Sequence, residues 1–347
     1  MLRRRAWELT APGQGRVVEE TLPEPGDGQL LLQAEWGALS PGSEALVFSG
    51  GLPAELSLDG TIAGMAGDRS YPLRYGYILT GTVTAAASTA AASPDAWNGR
   101  RVYAFHPHAT AAVVNADSVI PVPDFVQPRH APLYANVETA LSLHWDAGIL
   151  PGESVVVVGA GVVGLLTTLL AVRRAASLVV LVERDPERRR WAGEALGSDA
   201  IVVAEMDEAA RMVREHPTAV RGTYPGFDVG FELSGAPAAL RGLVAAIVFG
   251  GRVVLGSWYG NRPVELDLGG RFHRARISII SSQVSTIPLP VAGRIDHERR
   301  GRMVWELLSR LPVDSIPQRE ISLDELDTTL SACAAGQPIE PLILIRY

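Results

Sequence analysis

A glycine-rich turn between a run of valines and an apolar segment constrains the fold of this chain more than any other feature. Residues 155–158 are all valine, and residues 159–164 read Gly-Ala-Gly-Val-Val-Gly before an apolar, helix-forming stretch. In such a strand–turn–helix unit Gly159 permits the tight turn, Gly161 lets the backbone approach a pyrophosphate, and Gly164 packs the helix on the strand. The turn therefore predicts a dinucleotide-binding domain. The alternative, in which the glycines serve only packing in a nucleotide-free domain, stays open.

An acidic residue follows the second strand of this unit. The apolar run Leu178–Val182 is followed directly by Glu183, about 20 residues after the glycine turn. A carboxylate at this place can hydrogen-bond the ribose hydroxyls of a dinucleotide. A 2′-phosphate there would meet like charge, so NAD is favoured as the cofactor. Arg184 can stack on adenine or help to bind NADP, so NADP stays open. The predicted cofactor-binding residues are Gly159, Ala160, Gly161, Val162, Val163, Gly164, Glu183, Arg184, Ser234, Gly256 and Ser257.

The length of 347 residues exceeds what one hydrophobic core usually supports, so two domains are expected. Residues 1–127 are rich in glycine, proline and short β-type runs, which predicts a β-rich first domain. Over residues 128–287, β-branched runs alternate with helical patterns, one of them at 237–249, as is typical of a doubly wound parallel sheet. Residues 288–347 are expected to return to the first domain through a final strand at 341–347.

Composition and charge exclude several classes of protein. Apolar residues make up 47% of the chain and charged residues 20%, which is typical of a globular protein. The net charge of −7 argues against nucleic-acid binding, which needs a basic face. The apolar stretches fall short of the roughly 20 residues of a membrane span, and Glu8 interrupts any secretory signal, so a cytoplasmic protein without a membrane partner is expected. Cys333 is the only cysteine, which excludes an intramolecular disulfide and a cysteine-based zinc knuckle.

Further segments resemble a known superfamily over essentially the whole chain. Residues 41–44 (Pro-Gly-Ser-Glu) and 76–83 resemble two motifs of the medium-chain dehydrogenase/reductase superfamily, and residues 227–235 and 251–256 match its later cofactor-domain strands. The resemblance implies an α/β protein with a GroES-like β-rich catalytic domain and a Rossmann cofactor domain. Residues 105–108 (Phe-His-Pro-His) are similar to a zinc-type alcohol dehydrogenase-like subgroup, which is itself similar to bacteriochlorophyllide dehydrogenases.

The zinc ligands of that superfamily have no counterparts in this chain. Zinc-dependent members hold the metal with a cysteine, a histidine and a third acidic or thiol residue, and Pro41, Tyr77 and Ala135 stand in their places. None of these side chains is a thiolate, an imidazole or a carboxylate, so we expect no zinc. An unforeseen metal site stays open, built from His106, His108 or Glu138.

Without a metal, a side chain must exchange the proton of a substrate hydroxyl while hydride moves to or from nicotinamide C4. The resemblance implies three catalytic candidates: Tyr77, Ser43 and His106. Tyr77 replaces the metal-binding histidine and serves as a general acid–base or fills the vacated space. Ser43 corresponds to the superfamily's proton relay or caps the helix entering at Glu44. His106 matches a substrate-pocket position or is a hydrogen-bonded surface group.

The remaining predictions concern the substrate pocket and the function. His108, Glu138 and Trp258 are assigned to the pocket, where Glu138 would orient His106 or Tyr77, and the loop over residues 49–70 would line it. The leading hypothesis is a zinc-independent NAD(P)-dependent oxidoreductase that transfers hydride between nicotinamide and a secondary alcohol or its ketone, expected to bind in a cleft between the two domains. Two alternatives stay open: a zinc-free NADPH-dependent enone or quinone reductase, and a dinucleotide-binding protein without activity. The resemblance also implies a homodimer, with residues 277–281 as its edge strand.

Overall fold

A computed structural model divides the chain into two compact units. One comprises Met1–Ala135 with Gln318–Tyr347, and the other is Asn136–Pro317. Domain boundaries were expected at residues 127 and 287, whereas the first unit extends to Ala135 and the second, which includes the helix over 297–310, extends to Pro317. The structure describes residues 2–52, 70–87, 96–174, 176–218 and 222–347, so residues 53–69 of the loop expected to line the pocket lie outside the described residues.

The first unit consists mainly of strands, whereas strands and helices alternate in the second. The strands are β1 (Leu2–Ala11), β2 (Gln14–Leu22), β3 (Gln29–Leu39), β4 (Leu79–Ala86), β5 (Arg101–Ala104), β6 (Ala111–Asn115), β7 (Val119–Pro121), β8 (Ser154–Val158), β9 (Leu178–Val182), β10 (Ile201–Val203), β11 (Phe227–Glu232), β12 (Ile247–Leu255), β13 (Ser278–Ser281), β14 (Gln318–Ser322) and β15 (Leu342–Arg346). The helices are α1 (Pro41–Phe48), α2 (Tyr134–Ala147), α3 (Val162–Arg173), α4 (Pro186–Leu196), α5 (Met206–Glu215), α6 (Pro237–Ala245), α7 (His297–Arg310) and α8 (Leu326–Ala334). Among the described residues, no helix combines the length and the apolar character that a membrane crossing requires.

The first unit is built around a mixed sheet in the order β14-β15-β3-β4-β5-β7, with β6 also paired to β3 and with a separate β1–β2 hairpin. β15 lies antiparallel to β3, with Ile343 opposite Leu39. Both residues are buried in one apolar cluster together with Phe48 of α1 and Leu330 of α8. This core packs α1, which carries Ser43, against the sheet.

The second unit is built around a parallel sheet in the order β10-β9-β8-β11-β12-β13. Every residue of β8 and β9 is buried, which is why these strands read as uninterrupted β-branched runs rather than as alternating patterns. The strand order reverses between β8 and β11. In doubly wound sheets this switch point is where ligands bind, beyond the carboxyl ends of the strands. The predicted α/β fold, a β-rich domain with a Rossmann sheet, is confirmed.

One helix is shorter than its prediction. The helix expected over 237–249 ends at Ala245, and β12 begins at Ile247. Ile247 pairs with Phe227 at the start of β11, so the apolar residues from Ile247 onward extend the sheet instead of the helix. A helix end and a buried strand start are both apolar, and hydrophobic periodicity does not separate them over so few residues.

Candidate active site

The glycine turn lies at the carboxyl end of β8, and its three glycines have different surroundings. Gly159 has φ +106°, and a Cβ there would lie 2.7 Å from the carbonyl carbon of Leu233. A Cβ on Gly164 would lie 1.9 Å from the Gly159 carbonyl oxygen. A Cβ on Gly161 would meet no atom of the described chain within 4 Å. Two glycines are therefore needed by the fold, whereas Gly161 leaves open space in front of the turn.

The N-terminus of α3 follows this open space directly. Gly161 is the N-cap residue and makes no side-chain cap, so the first backbone N–H groups of α3, from Val162 and Val163, keep the unpaired donors of a helix start. Val162 is buried and Val163 half-buried. Such a terminus attracts the negative charge of a phosphate through its free N–H groups and its dipole. The turn and the helix start thus form a corner whose free N–H groups suit an anion.

Glu183 lies beside this corner at the end of β9. Its Oε2 accepts a hydrogen bond from the backbone N–H of Ala160 at 3.0 Å, and its Oε1 accepts one from Asp185 at 3.0 Å. Each carboxylate oxygen has a second lone pair, so both can still accept a ligand hydroxyl. The side chain is buried, whereas Arg184 is exposed. The contact with Ala160 fixes a negative charge against the glycine turn.

A second carboxylate, Glu232, lies at the end of β11, next to the switch point. It is fully buried, Ser234 donates to its Oε1 through both the backbone N–H and the hydroxyl, and Tyr259 donates its hydroxyl to Oε2 at 2.7 Å. Burial and then the charge of Glu232 raise the pKa of Tyr259 well above its usual value, so the phenol keeps its proton. The predictions missed Glu232, although it is an acidic residue at the end of an otherwise apolar strand.

The other predicted residues of this sheet edge follow β12. The Ser257 hydroxyl accepts a hydrogen bond from the Gly235 N–H at 2.9 Å, which ties the ends of β11 and β12 together. A Cβ on Gly256 would lie 2.6 Å from the Leu233 side chain, so a larger residue would disturb the packing. Trp258 is 36% exposed. All the predicted cofactor-binding residues therefore lie at or next to the carboxyl ends of β8, β9, β11 and β12.

Alanine substitutions at two of the turn glycines are expected to have different effects. Gly164→Ala forces a Cβ against the Gly159 carbonyl and should lower the free energy of unfolding by about 1–3 kcal/mol, measured by urea unfolding. Gly161→Ala places its Cβ in open space at φ −71°, so stability should be kept while NADH affinity falls about tenfold or more. Gly193→Ala, on α4 and also in open space, should leave NADH binding unchanged. Equal NADH affinities of Gly161→Ala and the wild type would contradict the role given to the turn.

In the first unit, three hydroxyl groups form a chain at the start of α1. The Ser43 and Tyr77 hydroxyl oxygens are 3.0 Å apart, and Ser43 donates to the Ser40 hydroxyl at 3.2 Å. A serine hydroxyl has one proton, so in this arrangement Tyr77 donates to Ser43. The Tyr77 backbone carbonyl accepts a further hydrogen bond from Tyr103 at 3.1 Å. The structure thus brings two of the three predicted catalytic residues together and adds Ser40, which the predictions missed.

The alternative role of Ser43 as a helix cap is wrong. α1 begins at Pro41, which suits the first position of a helix, and the N-cap residue is Ser40. The backbone N–H of Ser40 donates a hydrogen bond to the Glu44 carboxylate at 2.8 Å. Ser43 therefore lies within the first turn of α1, where its hydroxyl does not cap the helix and contacts Tyr77.

The two histidines of the Phe-His-Pro-His segment have different environments. His106 is half-buried, and its Nδ1 lies 2.6 Å from the Pro107 carbonyl oxygen. Burial lowers the pKa of His106 to about 4, although this hydrogen bond opposes the shift, so the imidazole is neutral at pH 7. His108 is fully buried, and its two ring nitrogens contact Glu44 at 2.8 Å and Tyr347 at 2.9 Å. Of these two histidines, only His106 keeps part of its surface exposed.

Glu138, which was also predicted to line the substrate pocket, belongs to the second unit. It lies on α2, where it is buried and pairs with Arg300 of α7 at 2.8 Å. Ser142 and His144, on the same helix, are also buried. His144 contacts the Thr167 carbonyl oxygen at 2.9 Å, and burial lowers its pKa to about 3, as suits a core histidine.

The residues do not fit the zinc site of the superfamily. Among the described residues, no group of three or more histidine, cysteine, aspartate or glutamate side chains is placed to hold a metal ion. Pro41 starts α1, and the Tyr77 hydroxyl contacts Ser43, so neither place supplies a thiolate, imidazole or carboxylate. His108 and Glu138, from the alternative set, both have protein partners.

The chain is similar in sequence to proteins named L-threonine 3-dehydrogenase. It is 36% identical to that of Sinorhizobium medicae over 215 residues, which cover 62% of this chain and 56% of the relative. It is 29% identical to that of Ruegeria pomeroyi over 226 residues, which cover 64% and 60%. The chain thus spans less than two thirds of the length of these relatives. No protein-family model matches the chain.

Solved structures match over nearly all of the chain. A protein of Sinorhizobium meliloti described as a zinc-binding dehydrogenase, with NADP bound, superimposes with a TM-score of 0.74 at 21% identity and full coverage of both chains. The 2R,3R-butanediol dehydrogenase of Bacillus subtilis has a TM-score of 0.76 at 18% identity, with 99% of each chain covered. An alcohol dehydrogenase of Escherichia coli CFT073 with NADH bound has a TM-score of 0.75 at 16% identity, again over 99% of each chain. The chain therefore has the fold of these dehydrogenases.

Proposed function

We propose that the chain is an NAD-dependent oxidoreductase that transfers hydride between nicotinamide and a secondary alcohol or its ketone, without zinc. The observation that carries the proposal is the hydroxyl chain of Tyr77, Ser43 and Ser40, with Tyr77 at the place of the superfamily's metal-binding histidine. The names of the relatives and of the structural neighbours support dehydrogenase chemistry. L-threonine, the substrate in the relatives' name, is itself a secondary alcohol.

The hydroxyl chain supplies a route for the proton. Bound NAD would accept the hydride from the carbinol carbon at nicotinamide C4. A phenol oxygen carries two lone pairs beside its proton, so Tyr77 can accept the proton of a substrate hydroxyl while it donates its own proton toward Ser43. As Tyr77 takes that proton, its phenolic proton passes to Ser43, the Ser43 proton passes to Ser40, and the Ser40 proton leaves to solvent. Reduction of a ketone runs the same transfers in reverse.

Glu183 and the glycine turn support the choice of NAD. The carboxylate is held against the backbone of Ala160 and would accept hydrogen bonds from the ribose hydroxyls. A 2′-phosphate would be repelled by the same charge. One structural neighbour has NADP bound. If this chain bound NADP instead, the exposed Arg184 would be the residue to contact the 2′-phosphate.

We also propose that the protein acts in the cytoplasm on a small molecule as a homodimer, without nucleic-acid or membrane partners. The net charge of −7 supports the absence of nucleic acid. β13 lies at one edge of the parallel sheet and pairs with β12 alone among the described strands. An edge strand presents unpaired backbone groups that a second copy can use.

The test is a titration of the purified protein with NADH and NADPH, followed by nicotinamide fluorescence, after its metal content has been measured. Secondary alcohols including L-threonine and 2,3-butanediol, the matching ketones, and enones are then added. We expect tighter binding of NADH, no stoichiometric zinc, and turnover of a ketone. Gly161→Ala is the matched control for binding. A preference for NADPH with turnover of enones would favour an enone reductase, and binding without turnover of any compound would favour a protein that only binds the dinucleotide.

A further inference from the structure

A mostly buried chain of three polar side chains, in which Glu44 and His108 are buried and Tyr347 is half-buried, adjoins the Ser43–Tyr77 pair. The carboxylate of Glu44 contacts His108 Nε2 at 2.8 Å, and His108 Nδ1 contacts the Tyr347 hydroxyl at 2.9 Å. Glu44 is 2% exposed and His108 is not exposed at all. Burial, and then the charge of Glu44, raise the pKa of Tyr347 well above its usual value, so that hydroxyl keeps its proton.

These contacts assign the protons of the buried chain. The carboxylate can only accept, so His108 donates its Nε2–H to Glu44. The Tyr347 hydroxyl keeps its proton and donates it to His108 Nδ1, the ring nitrogen 2.9 Å away, whose lone pair accepts it. Each donor faces one acceptor, and the chain runs in a single direction from Tyr347 through His108 to Glu44. A network of this kind, with every member satisfied, holds one arrangement of its side chains.

The buried chain touches both segments that carry the hydroxyl pair. Glu44 follows Ser43 in α1, and its second carboxylate oxygen accepts the Ser40 N–H at 2.8 Å. The His108 ring lies against Gly76, the residue before Tyr77, so closely that a Cβ on Gly76 would be 2.5 Å from the ring carbon Cδ2. Glu44, at one end of the chain, therefore fixes the position of the start of α1. His108, in its middle, fixes the backbone next to Tyr77.

Stability alone is a weak reason for such a network. A buried charge costs free energy unless it is paired and hydrogen-bonded, and an apolar side chain at position 44 would carry no such cost, so the buried Glu–His contact needs another explanation. The distance between two reacting hydroxyls is sensitive to small displacements, and a misplacement of about 1 Å can lower a rate by about 10²-fold. The network acts on the very backbone segments that set this distance.

We propose that Glu44, His108 and Tyr347 are positioning residues, which hold the Ser43 and Tyr77 hydroxyls at hydrogen-bond distance for proton transfer. The inference rests on the proposed function as far as its kinetic effect is concerned. The arrangement of Tyr77 itself is measurable without turnover. None of the three residues needs to touch substrate or cofactor for this role.

The test is Tyr347→Phe, which keeps the half-buried ring and removes only the hydroxyl. We expect kcat to fall by roughly 10- to 100-fold, with KM and the NADH dissociation constant unchanged, and the pH profile of kcat to shift. Tyr71→Phe removes an exposed hydroxyl from the same unit and should change none of these quantities. Protein labelled with ¹³C at tyrosine Cζ gives a second readout, in which Tyr77→Phe identifies the Tyr77 resonance, and Tyr347→Phe should shift that resonance and its titration.

The outcomes separate the two proposals. If Tyr347→Phe leaves kcat within twofold and the Tyr77 resonance in place, the positioning role is wrong, even when the melting temperature falls. If the wild type turns over no alcohol or ketone, the proposed function fails, and the Tyr77 resonance alone decides the positioning role. Glu44→Gln, which keeps an acceptor for the Ser40 N–H, should give the same shift as Tyr347→Phe, because it disturbs the contact with His108.

Discussion

Tyr77→Phe is expected to lower kcat for oxidation of a secondary alcohol by roughly 10²- to 10⁴-fold, the usual contribution of a general acid–base group. The substitution keeps the ring and its packing and removes the hydroxyl that lies 3.0 Å from Ser43. Without that hydroxyl, the proton of the substrate has no acceptor that connects to Ser40. The NADH dissociation constant should stay the same, because the predicted cofactor-binding residues all belong to the second unit. Steady-state and single-turnover kinetics measure the effect.

The controls for this prediction separate the hydroxyl from the ring. Tyr71→Phe should leave kcat unchanged, since Tyr71 is 40% exposed and has no part in the hydroxyl chain. Ser43→Ala should slow the reaction as well, whereas Ser43→Thr keeps a hydroxyl and should retain more of the rate. A Tyr77→Phe enzyme with wild-type kcat and pH profile would show that the proton takes another route, and His106 would then be the next residue to replace.

Arg300→Met is expected to lower the free energy of unfolding by about 3–5 kcal/mol. The guanidinium is 3% exposed, pairs with the Glu138 carboxylate at 2.8 Å, and donates to the Val284 carbonyl at 2.7 Å. The substitution removes the cation of this ion pair from the buried Glu138 carboxylate. It also removes the hydrogen bond that the Val284 carbonyl accepts from Arg300. Urea unfolding of the variant, with attention to the slope as well as to the midpoint, measures the loss.

A surface pair on the same helix provides the matched control. Arg302 and Glu298 also form an ion pair on α7, but their side chains are 64% and 83% exposed. Arg302→Met should therefore change stability by no more than about 1 kcal/mol. The double variant Arg300→Met with Glu138→Gln should recover part of the loss, because the uncompensated charge is then gone. If Arg300→Met costs no more than Arg302→Met, the buried pair does not hold α7 to α2.

The sequence was sufficient for features whose cause is local. The runs at 155–158 and 178–182 predict strands, and the structure has strands over Ser154–Val158 and Leu178–Val182, because strands buried on both faces need continuous apolar residues. The glycines at 159 and 164 were assigned their roles from spacing, because the turn and the close approach of helix to strand leave no room for a Cβ. The carboxylate at 183 follows from the same unit, only one helix away.

The contacts proposed to position the catalytic hydroxyls required the tertiary structure. Glu44 meets His108 across 64 residues of sequence, and His108 meets Tyr347 across 239. Hydrophobic periodicity does not predict such long-range contacts, since they depend on which strands pair and in what register. The same holds for Glu138 and Arg300, where a residue expected to line a pocket forms a buried ion pair. Local sterics can be read along the chain, whereas the environment of a polar side chain exists only once distant segments have packed around it.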